Sequence, residues 1–353
     1  MQFGVQFFPD VMPEQKSAAV YFEEALDLAE EADRLGYSHI RIVEHYFHHY
    51  GGYSPNPIVF LAAAAQRTRR ARLVTGALLP AFNHPLKLAG EIGMLDALSQ
   101  GRLDVGFARA FLPHEFRRFS RSPDESVARF REGIEQVDLL LTQENATHRG
   151  RFHMIESTTS LPRPTQLPRP KFYVAALTTP DSFEFAGRMG YSLMAIAFVA
   201  EKMRPLLAAY REAWRTAGHP GDGEVMIAFH MFCDPDGERA RAFAMPLLDA
   251  YLRSLVDAAS EWLDGRTSRD YPGYDKVIAA LRASTAAEQI DAGGAWIGSP
   301  DEIAATIARL QADFGGFEHA SLQVNFNTMP LAPALQSMRL FAREVMPRFA
   351  ATG

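Results

Sequence analysis

The sequence lacks several features that define whole classes of protein. It has one cysteine, Cys233, so no disulfide can form within the chain. No apolar run reaches the ~18 residues that a membrane-spanning helix needs, and residues 1–10 lack the basic and apolar segments of a signal peptide. The net charge of −6 provides no basic excess for nucleic acid. We therefore expect a cytoplasmic protein that binds neither membranes nor nucleic acid.

Short apolar segments alternate along the chain with longer amphipathic segments. The predicted strands are residues 3–8, 39–43, 72–78, 102–108, 171–176, 192–197, 224–232 and 320–326, and a helical segment follows each strand. Eight strand–helix units in 353 residues predict an α/β fold, a (β/α)8 TIM barrel with insertions. An open doubly wound sheet is the alternative, but no G-x-G-x-x-G motif follows the first strand.

Two segments interrupt this alternation. Residues 143–170 are rich in proline, and residues 264–293 show no clear strand or helix pattern. We expect one domain over residues 1–353, with insertions near these two segments. Long irregular loops in compact domains are often lids, so the second insertion is expected to close over an active site, with a passive surface loop as the alternative. The residues expected to line this lid are Asp270, Tyr271 and Tyr274.

Residues that follow the strands of such a barrel surround its active-site mouth. Here most of them are small or apolar, which suits a flat aromatic cofactor. The small residues are Thr75, Gly76, Ala77, Ala108, Ala175 and Ala176. We expect Phe7, Phe8 and Phe198 to contact the substrate, although Phe7 and Phe8 could equally belong to the core.

The stretch 42–50, "IVEHYFHHY", holds three histidines within five positions. Histidine and glutamate are metal ligands, but adjacent residues on a strand, such as Glu44 and His45, point in different directions. No second ligand cluster with metal spacing occurs elsewhere in the sequence. We therefore expect no metal, and we expect His48 and His49 to be loop residues. The position of His45 at a strand end favours acid–base chemistry instead.

Three segments resemble the bacterial luciferase-like flavin-dependent monooxygenases. They are "EHYF" (44–47), "LLPAFNHPLKLAGEIGMLDALSQGRLDVGFARAF" (78–111) and "FRRFSRSPDESVARFREGIE" (116–135). The resemblance implies a TIM barrel that uses reduced FMN (FMNH2) and O2, through a C4a-peroxyflavin, to oxygenate a small-molecule substrate. It also implies a two-component system in which a separate flavin reductase supplies the FMNH2, and a homodimer.

The same resemblance implies roles for particular residues. His45 would lie beside the flavin–oxygen adduct, with Glu44 or Glu115 orienting it or transferring a proton. Asn83 and His84 would form the turn after the third strand, with His84 a further catalytic candidate, and Arg109 would bind near the flavin phosphate. The other implied cofactor-binding residues are Thr75, Gly76, Ala77, Ala108, Ala175, Ala176, Thr178, Thr179 and Ser182.

The physical properties of the segment around 178–182 agree with that implication. Its hydroxyl groups precede a helix that begins near Pro180, and free N–H groups at a helix amino terminus bind phosphate. An ordinary capped helix is the alternative.

The sequence also departs from luciferase itself. Ala108 replaces the reactive cysteine and Tyr46 replaces a second histidine, so light emission is not implied. Two other functions remain open. One is hydride transfer with a deazaflavin on the same fold, and the other is flavin binding without catalysis.

Overall fold

The computed structural model describes residues 1–196 and 200–350, with only the backbone described for Ala200 and Glu201. Phe198, predicted to contact the substrate, lies outside the described residues. Within these ranges the chain has eleven strands. They are β1 (Gln2–Phe7), β2 (His39–Ile42), β3 (Arg72–Leu78), β4 (Leu103–Phe107), β5 (Ala146–Arg149), β6 (Met154–Thr158), β7 (Lys171–Ala176), β8 (Ser192–Ile196), β9 (Val225–Cys233), β10 (Ala295–Gly298) and β11 (His319–Gln323).

Eight of these strands form a closed ring of parallel neighbours. The order around the ring is β1, β2, β3, β4, β7, β8, β9 and β11, and the pairing of β11 with β1 closes it. The predicted TIM barrel is therefore confirmed, and the open sheet is excluded. The largest error in a predicted strand end is at the last strand, which was expected to reach residue 326 and ends at Gln323.

A ninth strand joins the ring at one edge. β9 is nine residues long, so β11 pairs with its first part, up to His230, and β10 pairs with its last part, from His230 to Cys233. The sequence pattern did not predict β10 as a strand.

Helices pack around the outside of the ring. They are α1 (Ala18–Leu35), α2 (Pro57–Arg67), α3 (Pro85–Leu98), α4 (Pro113–Arg118), α5 (Ser126–Thr142), α6 (Pro180–Arg188), α7 (Ala200–Thr216), α8 (Gly237–Ala258), α9 (Tyr274–Ala283), α10 (Ala286–Ala292), α11 (Pro300–Phe314) and α12 (Leu331–Glu344). Their starts follow local chemistry: Ser17 and Asn56 cap α1 and α2 with side-chain oxygens, and Pro57 occupies the first turn of α2. No helix in the described ranges is both long enough and apolar enough to cross a membrane.

The two interrupting segments differ from each other. Residues 143–170 contain the antiparallel pair β5–β6, which lies outside the ring. Residues 264–293 were expected to be irregular, and that expectation is wrong, because they contain α9 and α10. The missed signal is a capping box at the start of α10, in which Thr285 and Glu288 each bond the other's backbone N–H.

The barrel interior is filled at mid-height by a separate apolar cluster. Val74, Tyr173, Met194 and Met226 pack there, each buried to about 1% exposure or less. Two positions further along the same strands, Gly76, Ala175, Ile196 and Ala228 line a cavity, so this cluster forms its floor.

Candidate active site

A cavity opens above the apolar cluster, at the carboxyl ends of the ring strands. It encloses about 1400 Å³ of space between protein atoms, part of it continuous with open solvent. The ring supplies its walls, and Tyr251 and Leu255 of α8 supply one side. Tyr271, Tyr274, Ile278 and Leu281 cover it from the segment that contains α9. This is the position at which barrel enzymes place their active sites.

His45 follows β2 and faces this cavity with only 8% of its surface exposed. Its Nδ1 lies 3.1 Å from Oε1 of Glu115, which is fully buried at the start of α4. The same carboxylate oxygen accepts a 2.9 Å hydrogen bond from the backbone N–H of Tyr46. The imidazole is therefore held at Nδ1, and its Nε2 has no hydrogen-bond partner among the described residues.

Aromatic rings and a tight turn fix the other sides of the His45 imidazole. Its ring centroid lies 5.3 Å from that of Phe8 and 6.0 Å from that of Phe111. Gly51, at φ +82°, passes so close that a Cβ there would lie 2.7 Å from the Cβ of His45. A larger residue at position 51 would therefore displace the imidazole.

Glu44 lies beside His45 in sequence but binds other groups. Its Oε1 accepts hydrogen bonds from the Tyr46 hydroxyl at 2.6 Å and Asn83 Nδ2 at 2.8 Å, and its Oε2 accepts one from the backbone N–H of Leu79 at 3.2 Å. Burial raises the pKa of Glu44 to about 8, although these hydrogen bonds oppose the rise. Of the two carboxylates predicted to orient His45, only Glu115 bonds to it.

One side of the cavity wall is flat and nearly free of polar side chains. We call this side the apolar half; its members are Gly76, Ala77, Ala108, Ala175 and Ala176. The peptide bond between Gly76 and Ala77 is cis. A planar ring could lie against the backbone and methyl groups of this surface at its four alanines, whereas the side chain of Arg41 already lies against Gly76.

A basic and hydroxylated rim adjoins the apolar half. Arg109, Thr179 and Ser182 all line the cavity there. Thr179 is the N-cap residue of α6 but makes no side-chain capping bond, so its hydroxyl remains available to a ligand. A cation, two hydroxyls and a helix amino terminus together suit a phosphate group.

The segment before α9 holds Arg109 of this rim in place through hydrogen bonds and a cation–π contact. Arg109 donates a 3.1 Å hydrogen bond to the carbonyl of Asp270, and its guanidinium lies 4.9 Å from the centroid of the Tyr271 ring. The Tyr271 hydroxyl in turn donates to the backbone carbonyls of Arg109 and Ala110. Tyr271 and Tyr274 thus line the cavity as predicted for a lid, whereas Asp270 contributes its carbonyl.

A second, polar part of the cavity wall was not predicted from the sequence. Gln6, Arg41, His230 and Gln323 lie next to one another on β1, β2, β9 and β11, and we call them the polar arc. Their side chains are all buried. The available signal was an arginine inside the apolar segment "HIRIV", but its direction is known only once the ring closes.

Several predicted site residues do not line the cavity. Phe7 points outward against Phe60 of α2, so its prediction as a substrate contact is wrong. His84 caps α3 with Nδ1 and is exposed, so a catalytic role for it is also wrong. The hydroxyl of Thr75 bonds to the backbone of Gly106.

Two further predictions need correction in position. Asn83 lies behind the wall, where it binds Glu44, and Thr178 does not line the cavity.

His48 and His49 lie outside the cavity with Asp257, and the ligand atoms of the three residues are within 4.8 Å of one another. The members that do line the cavity are Phe8, Glu44, His45, Gly76, Ala77, Ala108, Arg109, Ala175, Ala176, Thr179 and Ser182.

Comparison with known proteins agrees with this geometry. A sequence model of a family described as luciferase-like monooxygenase matches residues 1–315. The crystal structure of monooxygenase RslO1 from Streptomyces bottropensis is 44% identical, covers 99% of this chain and 100% of that one, and superposes with a TM-score of 0.88.

Two curated relatives are also similar. The oxygenase component of a flavin-dependent trigonelline monooxygenase from Acinetobacter baylyi is 32% identical over 248 residues, which cover 69% of this chain and 68% of the relative. An F420-dependent glucose-6-phosphate dehydrogenase from Beutenbergia cavernae is 27% identical over 331 residues, which cover 91% of each chain.

Proposed function

We propose that this chain, which belongs to the luciferase-like monooxygenase family, is the oxygenase component of a two-component system that uses reduced FMN and O2 to oxygenate a small organic substrate. Family membership makes the chain an oxidoreductase, and a flavin relative at 32% identity supports a flavin cofactor. The observation that carries the proposal is the His45–Glu115 pair facing a cavity whose apolar half adjoins a phosphate-binding rim.

The residues present fit a flavin mononucleotide. The apolar half would support its flat ring, and Arg109, Thr179 and Ser182 would hold its phosphate. When bound in reduced form, the flavin supplies two electrons and activates O2. The chain itself binds and orients the reactants, excludes water and controls protons.

His45 is the residue we assign to proton control. Because Glu115 occupies Nδ1, the imidazole presents Nε2 to the cavity, where it can donate a hydrogen bond or a proton to a bound oxygen atom. The buried carboxylate of Glu115 holds the orientation of the ring through its contact with Nδ1. Glu44 keeps the neighbouring turn in place through Tyr46 and Leu79.

The segment that contains α9 covers the cavity, and we assign to it the exclusion of water. Tyr271 and Tyr274 are each less than 7% exposed, and Ile278 and Leu281 add apolar surface beside them. An activated oxygen species is protected when solvent is kept from it. We propose that this segment opens to admit substrate and closes during turnover.

A separate reductase is the proposed source of reduced flavin. A similar relative is named as an oxygenase component, and no G-x-G-x-x-G motif follows β1 of this chain. We also propose a homodimer, in which α2 and α3 are candidate contact surfaces.

The test mixes the protein with chemically reduced FMN, then with O2 and a panel of aldehydes, ketones and aromatic acids. We expect tight binding of reduced FMN and an oxygenated product with at least one substrate class. His45→Ala should still bind reduced FMN but form ~100-fold less product, with H2O2 released instead. His219→Ala is the matched control, because the ring of this histidine hydrogen-bonds to the carbonyl of Arg188 and does not line the cavity. Failure of the wild-type protein to bind reduced FMN would contradict the proposal.

A second function has support from one comparison. The relative named as an F420-dependent dehydrogenase matches 91% of this chain, so hydride transfer with a deazaflavin is the alternative. The two functions differ in their need for O2. Product formation with F420 under anaerobic conditions, together with no binding of reduced FMN, would favour the alternative.

A further inference from the structure

We propose that Arg41 is the receptor for an anionic oxygen group on the substrate, so that the substrate is an organic anion such as a carboxylate or an enolate. The word substrate here rests on the proposed function, but the anion site itself does not. Its evidence is the position of Arg41, the absence of a counter-charge and the set of unpaired polar atoms around it.

The barrel ring places Arg41 inside the cavity. Arg41 pairs in register with Gln6 on the adjacent strand. Gln6 pairs in turn with Gln323, and Gln323 pairs with His230. Neighbours at one level of a parallel sheet point to the same side, so all four polar side chains face inward. All four line the cavity, and the proposed site is therefore the polar arc, which adjoins the apolar half at Gly76.

Arg41 is a buried cation without an anionic partner. Only 5% of the residue is exposed. Its two recorded hydrogen bonds go to neutral groups, Oε1 of Gln6 at 2.8 Å and the carbonyl of Gly76 at 3.1 Å. In the described ranges, no carboxylate forms a salt bridge with it. Burial lowers the pKa of Arg41 to about 10, so the guanidinium still carries its charge at neutral pH.

Burying an uncompensated charge is costly, and buried charges in proteins are normally paired. Arg72 on the neighbouring strand, whose side chain is 39% exposed, shows the usual pairing. Arg72 of β3 donates from Nε and Nη2 to the carboxylate of Asp104, each at 2.6 Å. Arg41 lines the cavity and has no such partner among the described residues, so the missing carboxylate would come from the ligand.

The rest of the polar arc is also incomplete. Nε of Arg41, Nε2 of His230 and both amide atoms of Gln323 have no hydrogen-bond partner among the described residues. These side chains are more than nine-tenths buried. Unpaired buried polar atoms are rare unless a ligand or water satisfies them. Nε of Arg41 and Nε2 of Gln323 are donors, and Nε2 of His230 donates in one of its tautomers, so this wall can offer hydrogen bonds to an oxygen anion.

Position within the cavity makes this a substrate site. The apolar half and its rim already account for a flat ring and a phosphate. His45 follows the same strand as Arg41 and lines the same cavity. A ligand anchored by its anionic end at Arg41 would therefore extend toward the imidazole. This arrangement selects charged substrates over neutral ones of the same shape.

The test uses the flavin-free protein and pairs of ligands that differ in charge. Formate is compared with formamide, and benzoate with benzamide, by calorimetric titration in a chloride-free buffer at constant ionic strength. We expect each carboxylate to bind at least ~10-fold more tightly than its amide. Arg41→Met should abolish this preference, and Arg41→Lys should retain part of it. Arg343→Met, which removes an exposed arginine paired with Glu344, should leave the preference unchanged.

Equal binding of carboxylate and amide to the wild-type protein would overturn the proposal, and this comparison needs no variant to fold. The anionic edge of reduced flavin is the other possible partner of Arg41. If Arg41→Met weakens binding of reduced FMN while the carboxylate preference survives, the proposal is also wrong. A protein that prefers carboxylates but does not bind reduced FMN would keep the anion site and reject the proposed function.

Discussion

The two sides of the cavity differ in what they offer to a ligand. The apolar half presents backbone and methyl groups, and its members have no side-chain polar atoms to satisfy. The polar arc presents a guanidinium, an imidazole and two amides, several of whose atoms lack partners. The first surface accepts any flat ring, whereas the second is stable only with a complementary ligand. We infer that the first holds a cofactor and that the second selects the substrate.

Gly76 joins the two sides, and its substitution should have the largest effect. A Cβ at this position would lie 2.0 Å from Nε and 2.4 Å from Cγ of Arg41. Gly76→Ala should therefore push Arg41 out of its bonds with Gln6 and the Gly76 carbonyl. We expect a loss of ~1–3 kcal/mol in the free energy of unfolding, measured by urea denaturation.

Gly90 of α3 provides the matched control for that change. A Cβ there would meet only the carbonyl oxygen of Leu161, at an ordinary 3.6 Å. Gly90→Ala should be neutral or stabilising by up to ~1 kcal/mol, because alanine favours a helix. Equal stability of the two variants would show that Arg41 is free to move. Gly76 would then not hold Arg41 in place at the boundary between the two sides.

Glu44 should make the stability of the protein depend on pH. Burial raises its pKa from 4.5 to about 8, so between these values the folded protein holds a proton that the unfolded chain has released. The contribution of Glu44 to stability therefore falls as pH rises from about 4.5 to 8, and it is level above that range. The full difference between the two pKa values corresponds to about 5 kcal/mol. Relaxation of the site around the ionised carboxylate reduces this, so we expect a loss of ~1–3 kcal/mol across the window.

Glu44→Gln isolates this effect, since the amide does not titrate. The difference in unfolding free energy between variant and wild type should grow in favour of the variant as pH rises through the window, in urea titrations at several pH values. Parallel pH profiles would mean that Glu44 is already ionised when folded.

Arg109 tests the rim beside the apolar half. Arg109→Met removes a cation that we assign to the flavin phosphate, so FMN should bind ~10-fold more weakly. Riboflavin, which lacks the phosphate, should bind to variant and wild type with similar affinity. An equal loss for both ligands would instead show that Arg109 acts by holding Asp270 and Tyr271 in place.

Sequence reasoning identified cavity-lining residues that lie just beyond a strand end. His45 and Arg109 lie two or three residues after β2 and β4, and the alternation of strands and helices identified those ends. It failed for Arg41 and Gln323, which lie within strands, because the inward direction depends on the register of the closed ring. It also failed for His84, which caps α3. The position of a histidine along the chain does not distinguish a helix cap from a catalytic residue.

The lid segment shows a different kind of failure. The expected irregular stretch contains α9 and α10, although the sequence from Thr285 to Glu288 has the spacing of a capping box. Proline and glycine nearby masked the helical pattern of α9, which begins directly after Gly273. The two tyrosines of this segment that line the cavity, Tyr271 and Tyr274, were nevertheless predicted as lid residues.

Gln323 gives the smallest predicted effect and the sharpest one for the polar arc. Both atoms of its fully buried amide lack partners among the described residues, so an apolar side chain of similar length should be tolerated better. Gln323→Met should raise the free energy of unfolding by ~1 kcal/mol while reducing the preference for carboxylates over amides. Gln136→Met is the contrasting control, because the amide nitrogen of this buried residue bonds to Glu132 and to the carbonyl of His153, and its loss should destabilise. If Gln323→Met destabilises as well, the polar arc is a completed structural network and is not a substrate-binding site.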